Sequence, residues 1–262
     1  MGRQSLKNVV RLIESANDNI PVEQEFLNNL KRSIELNADK CARKPSQTYK
    51  PSSMNCIRNM YYQRVGADID EGQTSYNLVG IVHSGSDIHV RVQTAIDEMK
   101  DNGIDCEYID VAEFVKNRGI SDVDIIDKQG METKLFHKKF CMSFLTDGII
   151  KYNNHYYILE IKTEASFKWS ARKGVDQKHY NQATAYSLAF GIDEVIFLYV
   201  NRDILDMKAY LFNVTSDMKS DLVGKILTCD EYVVNGEVPP KPENASNKLC
   251  AYCNYRSLCN GD

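Results

Sequence analysis

The chain has 262 residues, of which 43% are hydrophobic and 26% charged, and this composition is ordinary for a soluble globular protein. A chain of this length can bury a substantial core as one large domain or two small ones. The formal net charge of −4 excludes a uniformly basic nucleic-acid binder, so any surface that binds nucleic acid must be a local basic patch.

The apolar stretches give no sign of membrane association. The longest uninterrupted stretch, Val195 to Val200, is too short to span a bilayer. The first residues are charged and polar, without the apolar segment of a signal peptide. Leu6 stands where a myristoylation motif requires Ser or Thr. These features predict a cytoplasmic protein.

The first 40 residues predict two amphipathic helices. Apolar residues form one stripe over Leu6–Ile13 and a second, at 3.6-residue spacing, over Val22–Ile34. A polar, proline-bearing connector follows at 44–53. We therefore expect residues 1–50 to form a helical extension that packs on a core formed by residues 51–262.

The rest of the chain predicts a mixed α/β sheet. A helix is expected from Ser84 to Met99, and residues 133–163 alternate apolar and polar side chains as a meander of strands does. Strands that are followed by a helix and then by a further strand indicate a mixed α/β sheet flanked by helices. The later elements expected are a helix over Asp176–Phe190, strands at Glu194–Val200 and Lys208–Phe212, and a helix over Ser216–Leu227.

Two carboxylates and a lysine are brought together by the predicted strand pairing. In the strand 156–163, Glu160 and Lys162 point to one face because side chains alternate. If a tight turn at 153–154 joins two antiparallel strands, the numbers of any two residues that face each other add up to 307. This register places Asp147 opposite Glu160, with Cβ atoms about 5 Å apart. Such close like charges predict a divalent cation between them, unless a slip or bulge changes the register.

These residues suit phosphodiester hydrolysis. A divalent cation lowers the pKa of an attacking water and neutralises phosphate charge, and hard cations prefer carboxylate ligands. Lys162 can orient or deprotonate that water, or stabilise the developing charge. The alternative is an exposed Glu–Lys pair on a solvated strand, which an isolated E-x-K would favour. With Asp147 in register, the metal site is the better interpretation.

Two predicted helices carry candidates that would complete the site. His89 lies at the edge of an apolar stripe as a metal ligand or a hydrogen-bonded core residue, and His83 competes with it. Gln182 and Tyr186 lie one helical turn apart, and a buried glutamine needs a polar partner. The residues around that helix's start form a basic cluster, either a phosphate-binding surface or a solvated face: Lys168, Arg172, Lys173, Lys178 and His179.

The eight cysteines indicate a metal centre, because disulfides are rare in a reducing cytosol. Cys250, Cys253 and Cys259 place three thiols close together, and C-x2-C is a metal-binding spacing. Three unligated thiols are the weaker alternative, since free cysteines are usually buried singly. Spacing does not separate zinc from an iron–sulfur cluster, nor does it choose the fourth ligand among Cys41, Cys56, Cys106, Cys141 and Cys229.

The order of these motifs resembles the RecB-like PD-(D/E)XK exonucleases that carry one iron–sulfur cluster. That family includes CRISPR-associated adaptation nucleases and the nuclease domain of AddB-type recombination enzymes. The resemblance extends from about Ser52 to Cys259. It rests on Cys56-Ile-Arg58-Asn-Met-Tyr61-Tyr62, Gly85-x3-His89, Asp147, Glu160-Ile-Lys162, Gln182-x3-Tyr186 and Cys250-x2-Cys253-x5-Cys259.

The resemblance implies a fold and an active site. The fold is α/β, a PD-(D/E)XK restriction-endonuclease-like core with a mixed central β-sheet flanked by helices, an N-terminal helical region and a C-terminal cysteine-cluster lid. Lys162, Asp147 and Glu160 would be catalytic. His89, Asp147, Glu160 and the carbonyl of Ile161 would bind Mg²⁺ or Mn²⁺.

It also implies a cluster and a DNA-binding surface. A [4Fe–4S] cluster would be held by Cys56, Cys250, Cys253 and Cys259. Gln182 and Tyr186 would support DNA binding and the active site, and the basic residues expected to take part are Arg58, Lys168, Arg172, Lys173 and Lys178. Thr146 stands where the family's name motif has proline, at a position that supplies no ligand.

The function implied is a Mg²⁺- or Mn²⁺-dependent deoxyribonuclease, an exonuclease acting on single-stranded DNA ends, with recombination or adaptation proteins as expected partners. One alternative is a DNA-end binding or processing subunit of such a complex, with little nuclease activity of its own. The other is a zinc-stapled structural protein whose E-x-K is accidental. Cleavage polarity and oligomeric state are not determined by these residues.

Overall fold

The computed structural model describes most of the chain, namely residues 20–39, 45–70, 75–242, 250–251 and 253–261. The described residues divide into two compact units, of which the smaller comprises 20–39 and 75–82. No described helix combines the length and the apolarity that crossing a membrane requires.

The described residues form both α-helices and β-strands. The helices are α1 Val22–Asp39, α2 Ile57–Val65, α3 Tyr76–Asp97, α4 Val111–Asn117, α5 Ser166–Ala171, α6 Tyr180–Phe190, α7 Ser216–Asn235 and α8 Arg256–Gly261. The strands are β1 Cys106–Ile109, β2 Val123–Gln129, β3 Glu132–His137, β4 Met142–Thr146, β5 Gly148–Tyr152, β6 His155–Glu164, β7 Glu194–Asn201 and β8 Met207–Asn213.

The smaller unit contains α1 and the start of α3. Helix α1 confirms the second predicted amphipathic helix, and the Tyr76 backbone N–H donates to Glu35 Oε1 at 3.0 Å within this unit. The other predicted stripe, Leu6–Ile13, lies outside the described residues. Packing of residues 1–50 on the core therefore stays a prediction.

The larger unit is built on two sheets. The five-stranded sheet has the order β1-β5-β6-β7-β8, in which only the β6–β7 pair is parallel. The three-stranded sheet β2-β3-β4 is antiparallel throughout. Because β4 and β5 are separated by one residue, Asp147, the chain passes from one sheet to the other at that residue.

Helices cover both faces of the five-stranded sheet. Ile88 and Val92 of α3 pack with Leu159 and Ile161 of β6 on one face. The alternate residue Ile158 faces the opposite side, where the larger cluster includes α6 and α7. This mixed α/β architecture confirms the predicted fold class and is consistent with a PD-(D/E)XK-like core.

Several boundaries differ from the prediction. Helix α7 continues past the expected Leu227 to Asn235, because the residue that ends it is Gly236 in the left-handed conformation. Helix α3 begins at Tyr76, eight residues before the expected Ser84. Strand β1, helix α4 and strand β2 were not predicted, since elements of four to seven residues carry little periodicity.

Gly148, the first residue of β5, allows the chain to turn between the two sheets. Its φ is +150°, in a region that side-chain-bearing residues rarely adopt. A Cβ at this position would overlap the hydroxyl group of Tyr108. Glycine is therefore required both by the backbone conformation and by the close approach of Tyr108.

We expect Gly148→Ala to lower the free energy of unfolding by about 2–3 kcal/mol, because it adds a steric overlap to backbone strain. Gly119→Ala is the matched control, since Gly119 has a φ of +66° and nothing near its missing Cβ. That variant should lose about 1 kcal/mol. Urea denaturation measures both, and equal losses would contradict the role given to Tyr108.

Candidate metal centre at the junction of the two sheets

Strand β5 pairs with β6 in the predicted register. Gly148 lies opposite Leu159, and both asparagines of the turn at 153–154 have positive φ, as a tight hairpin turn requires. Asp147 precedes Gly148 and Glu160 follows Leu159, so these two residues occupy the next pair of facing positions. The register on which the predicted carboxylate pair depended is thus confirmed for the strand residues that flank it.

The second sheet brings another carboxylate to the same place. Strand β3 pairs with β4, with Thr133 opposite Thr146. Glu132 and Asp147 occupy the next pair of facing positions. The sequence analysis did not predict Glu132. The same register rule, applied to a turn at 139–140, would have placed it opposite Asp147, but this hairpin begins just before the segment that was interpreted as strands.

His89, Glu132 and Asp147 form a compact group of ligand atoms. His89 Nδ1 lies 3.2 Å from Asp147 Oδ1 and 3.4 Å from Glu132 Oε1. The three ligand atoms all lie within 4.8 Å of one another. Burial by itself would lower the pKa of His89, but its hydrogen bonds to the two carboxylates raise that pKa to about 10. The imidazole thus lies in a strongly negative environment, which a bound cation would also favour.

Gly85 allows the helix that carries His89 to approach the sheet closely. A Cβ on Gly85 would lie 3.3 Å from Thr163 Oγ1 of β6, which is tighter than an ordinary contact. The competing candidate, His83, is exposed. The structure therefore assigns the Gly-x3-His spacing to helix–sheet packing and brings His89 to the carboxylates.

Asp147 is held by hydrogen bonds on every side. Its carbonyl oxygen accepts from Gln93 Nε2 at 2.7 Å and from the Tyr108 hydroxyl. Its Oδ2 accepts from the backbone N–H of Ile161 at 2.6 Å, which brings the backbone of that predicted ligand to the aspartate. The bond from Ile161 orients the carboxylate so that its other oxygen, Oδ1, lies beside His89.

Glu160, Lys162, Gln182 and Tyr186 form one hydrogen-bonded network. Lys162 Nζ donates to Glu160 Oε1 and, at 3.1 Å, to Gln182 Oε1. Gln182 Nε2 lies 2.8 Å from both Glu160 Oε1 and the Tyr186 hydroxyl oxygen. Tyr186 in turn donates to the Leu145 carbonyl at 3.1 Å. The polar partner expected for a buried glutamine is thus the carboxylate of Glu160.

Glu160 has one oxygen that the described residues leave unsatisfied. The residue is 3% exposed, and its Oε2 is buried without a hydrogen-bond partner in the described part of the chain. Burial raises its pKa to about 7, and the charge of Asp147 adds to this while that of Lys162 opposes it. A buried carboxylate oxygen without a partner is costly, so this donor set fits a cation.

The basic cluster is partly engaged within the protein. Arg172 forms a bidentate pair with Glu164, with both N–O distances 2.6 Å, and lies over the Tyr199 ring at 4.0 Å. Lys168 also contacts Glu164, at 3.0 Å. Arg172 is largely buried, so its contacts favour a structural role in the loop. The DNA-binding prediction then concerns the more exposed lysines, Lys168, Lys173 and Lys178.

Four cysteines line one cavity of about 280 Å³, and they are the four predicted cluster ligands: Cys56, Cys250, Cys253 and Cys259. Burial raises the pKa of the Cys250 thiol, and the other three thiols raise it further, so all four lie close enough to interact. Arg58 lines the same cavity and donates to the Pro239 carbonyl at 2.9 Å.

The remaining candidates for the fourth ligand lie elsewhere. Cys106 is buried in β1, Cys229 is buried in α7, and Cys141 lies in the turn between β3 and β4. Cys41 is outside the described residues. The structure thus brings together the ligand set that the family resemblance implied.

Comparisons with known proteins give distant similarities to solved structures. No protein-family model matches the chain, and no curated protein gives a significant match. The crystal structure of SSO0001 has 16% sequence identity and a TM-score of 0.45, over 89% of this chain and 96% of that one. An alkaline exonuclease (LHK-Exo) from Laribacter hongkongensis has 9% identity and a TM-score of 0.43, over 73% and 90%. At these scores neither similarity assigns a function.

His179, at the start of α6, lies close to the positive charge of Lys162. Its ring stacks on Phe197 at 6.0 Å between centroids. Burial lowers the pKa of His179 to about 3, and the charges of Lys162 and Lys178 contribute to the decrease. The imidazole is therefore neutral in the folded protein over the whole physiological range.

This shift predicts a dependence of stability on pH. The unfolded histidine binds a proton below about pH 6.5 and the folded one does not until about pH 3, so the folded state loses stability as the pH falls through this window. His179→Gln should weaken that acid sensitivity. Melting temperatures between pH 5 and pH 7.5 measure the effect, and exposed His83→Gln is the control. An unchanged pH dependence in His179→Gln would contradict the assignment.

Proposed function

We propose that this chain is a metal-dependent nuclease that hydrolyses phosphodiester bonds in DNA. The observation that carries the proposal is the group of carboxylates at the junction of the two sheets, where Asp147 lies beside Glu132, His89 and Glu160. The buried, unpartnered Oε2 of Glu160 supports a cation at this junction. Lys162, which donates hydrogen bonds to the other oxygen of Glu160 and to Gln182, distinguishes the site from a purely structural metal centre.

Four residues at the junction would bind the cation that hydrolysis requires. His89, Glu132, Asp147 and Glu160 would hold Mg²⁺ or Mn²⁺, as mostly oxygen donors with one imidazole suit these ions. When bound, such an ion supplies an attacking water of lowered pKa and neutralises charge on the phosphate. The raised pKa of His89 means that its imidazole is protonated when no cation is bound. Cation binding would displace that proton, because a metal ligand must be the neutral imidazole.

Lys162 is the residue that we assign to catalysis. Its ammonium group is fixed by Glu160 Oε1 and Gln182 Oε1, so it is positioned without help from a substrate. A fixed positive charge at this point would orient the attacking water or stabilise charge that develops on the phosphate. Gln182 and Tyr186 position Lys162 and Glu160 and have no separate chemical role in this scheme.

The choice of substrate rests on the family resemblance. Exonuclease action on single-stranded DNA ends is implied by the motif order and by the RecB-like PD-(D/E)XK family it resembles. The exposed lysines near the start of α6 are consistent with phosphate binding. The acidic net charge places that binding on a local surface, since the chain as a whole would repel DNA.

Lys162→Met should lower the rate of DNA cleavage by about 100- to 10,000-fold while leaving Mn²⁺ binding in place. Asp147→Asn should abolish cleavage and also remove the rise in melting temperature that Mn²⁺ produces in the wild type. Labelled single- and double-stranded oligonucleotides measure cleavage, and thermal unfolding with and without Mn²⁺ measures cation binding.

Lys116→Met, at an exposed position on α4, is the matched control and should cleave as the wild type does. Equal cleavage by Lys162→Met and the wild type would contradict the proposed site. DNA binding by the wild type without any cleavage would instead favour the alternative function, a DNA-end binding or processing subunit.

We further propose that Cys56, Cys250, Cys253 and Cys259 hold a [4Fe–4S] cluster with a structural role. Their shared cavity supports a metal centre, and the assignment to iron and sulfide rests on the family resemblance. Such a centre would join a residue before the core to the tail after it. A link that closes a loop of about 200 residues removes much conformational entropy from the unfolded chain.

Cys56→Ser should reduce the iron content of anaerobically purified protein, abolish its brown colour and lower the melting temperature. Cys141→Ser is the control, because Cys141 lies outside the cavity, and it should match the wild type in all three measurements. Zinc in place of iron in the wild type would refute the cluster, and unchanged folding and DNA binding in the iron-free variant would refute its structural role.

A further inference from the structure

Phe167 is an aromatic side chain held in solvent directly after the strand that carries Glu160 and Lys162. It lies in α5, which begins two residues after the end of β6. The residue is 81% exposed, the highest value for an aromatic residue in the described part of the chain. An exposed ring of this size leaves a large apolar surface in water, and aromatic residues at such positions are frequently binding residues.

The residues on each side of Phe167 are anchored, so its exposure is a property of the fold. The Ser166 backbone N–H donates to Asp203 Oδ2 at 2.8 Å. Trp169 Nε1 donates to the Tyr199 carbonyl at 3.2 Å. Because these bonds fix the residues before and after it, Phe167 is held pointing away from the core.

Phe167 is connected to the proposed active site by strand β6, which ends two residues before the helix that carries the ring. Glu160, Lys162 and Glu164 lie on one face of this strand, and Glu164 binds Lys168, the residue after Phe167, at 3.0 Å. Lys168 therefore lies beside the third of three consecutive positions on the face that contains Glu160 and Lys162.

The exposed side chains that follow Phe167 along the chain include three lysines. The side chains of Lys168 and Lys178 are 40% and 51% exposed, and Lys173 is exposed as well. The nearest exposed residues in α5 are Ser170 and Ala171. Two exposed apolar residues, Ile204 and Leu205, lie in the loop whose Asp203 binds Ser166, so a protein partner is the alternative that the binding experiment separates. An exposed ring followed by lysine side chains matches the chemistry of single-stranded nucleic acid, whose bases stack on aromatic rings and whose phosphates bind lysines.

We propose that Phe167 is a base-stacking residue for single-stranded DNA, with Lys168, Lys173 and Lys178 contacting the adjoining phosphates. The proposal rests on the proposed nuclease function and specifies how its substrate is held. Bases in a duplex are stacked on one another and do not present a free face, so this contact favours a single strand or a frayed end at the active site.

Fluorescence anisotropy with labelled oligonucleotides, in the absence of added divalent cation, tests the proposal without cleavage. Phe167→Ala should weaken binding of a single-stranded oligonucleotide by about 5- to 100-fold, the range measured for loss of one stacked base. Phe167→Trp should bind within about twofold of the wild type. Binding of a duplex of the same sequence should change little.

Two controls separate stacking from other effects. Val234→Ala removes another highly exposed apolar side chain, on α7, and should bind as the wild type does. An oligonucleotide that lacks bases should bind the wild type and Phe167→Ala equally, because it offers nothing to stack. Since Phe167 contributes little to the core, Phe167→Ala should also keep the wild-type melting temperature.

The outcomes distinguish this proposal from the nuclease proposal. Equal binding of single-stranded DNA by Phe167→Ala and the wild type would overturn the stacking role, whether or not the protein cleaves DNA. Loss of a bound protein partner in Phe167→Ala, with DNA binding unchanged, would overturn it too. Binding that depends on Phe167 in a protein that never cleaves DNA would support the stacking role and refute the nuclease.

Discussion

Asp147 occupies the one residue between β4 and β5, and the candidate site depends on that position. Asp147 directly follows the last pair of the β3–β4 ladder, which places it opposite Glu132. It also directly precedes the first pair of the β5–β6 ladder, which places it opposite Glu160. Its carbonyl and its carboxylate are both hydrogen-bonded to neighbouring elements. Gly148 makes the arrangement feasible, because its positive φ turns the chain without bringing a side chain against Tyr108.

The carboxylates that meet here repel one another, and the protein compensates this charge in two different ways. On one side, His89 lies between Asp147 and Glu132 with a raised pKa. On the other side, Lys162 neutralises one oxygen of Glu160, while the other oxygen has no partner among the described residues. Buried charges left partly uncompensated are costly to stability, and a functional site that binds a cation is the physical reason that we give for retaining them.

Strand β6 organises the remaining surface through alternation. Glu160, Lys162 and Glu164 face the same side, and the neighbouring residues of β7 on that side are Phe197, Tyr199 and Asn201. His179 stacks over the first of these rings and Arg172 lies over the second. The loop between α5 and α6, which carries most of the basic cluster, is thus fixed along the face that carries the catalytic candidates.

The sequence by itself determined the pairing of β5 with β6, because a tight turn and strict alternation fix a register without reference to anything else. The sequence also indicated that Gln182 and Tyr186 share one helix face, that three cysteines lie close together and that the fold is mixed α/β. Each of these inferences depends on the spacing of residues near one another in the chain. The tertiary structure decided which groups meet across elements. His89 reaches Asp147 because helix α3 packs on the sheet, and Arg172 binds Glu164 because β6 presents that carboxylate toward the loop. These contacts join separate elements, and the distance between such elements is fixed by packing, which local sequence patterns do not encode.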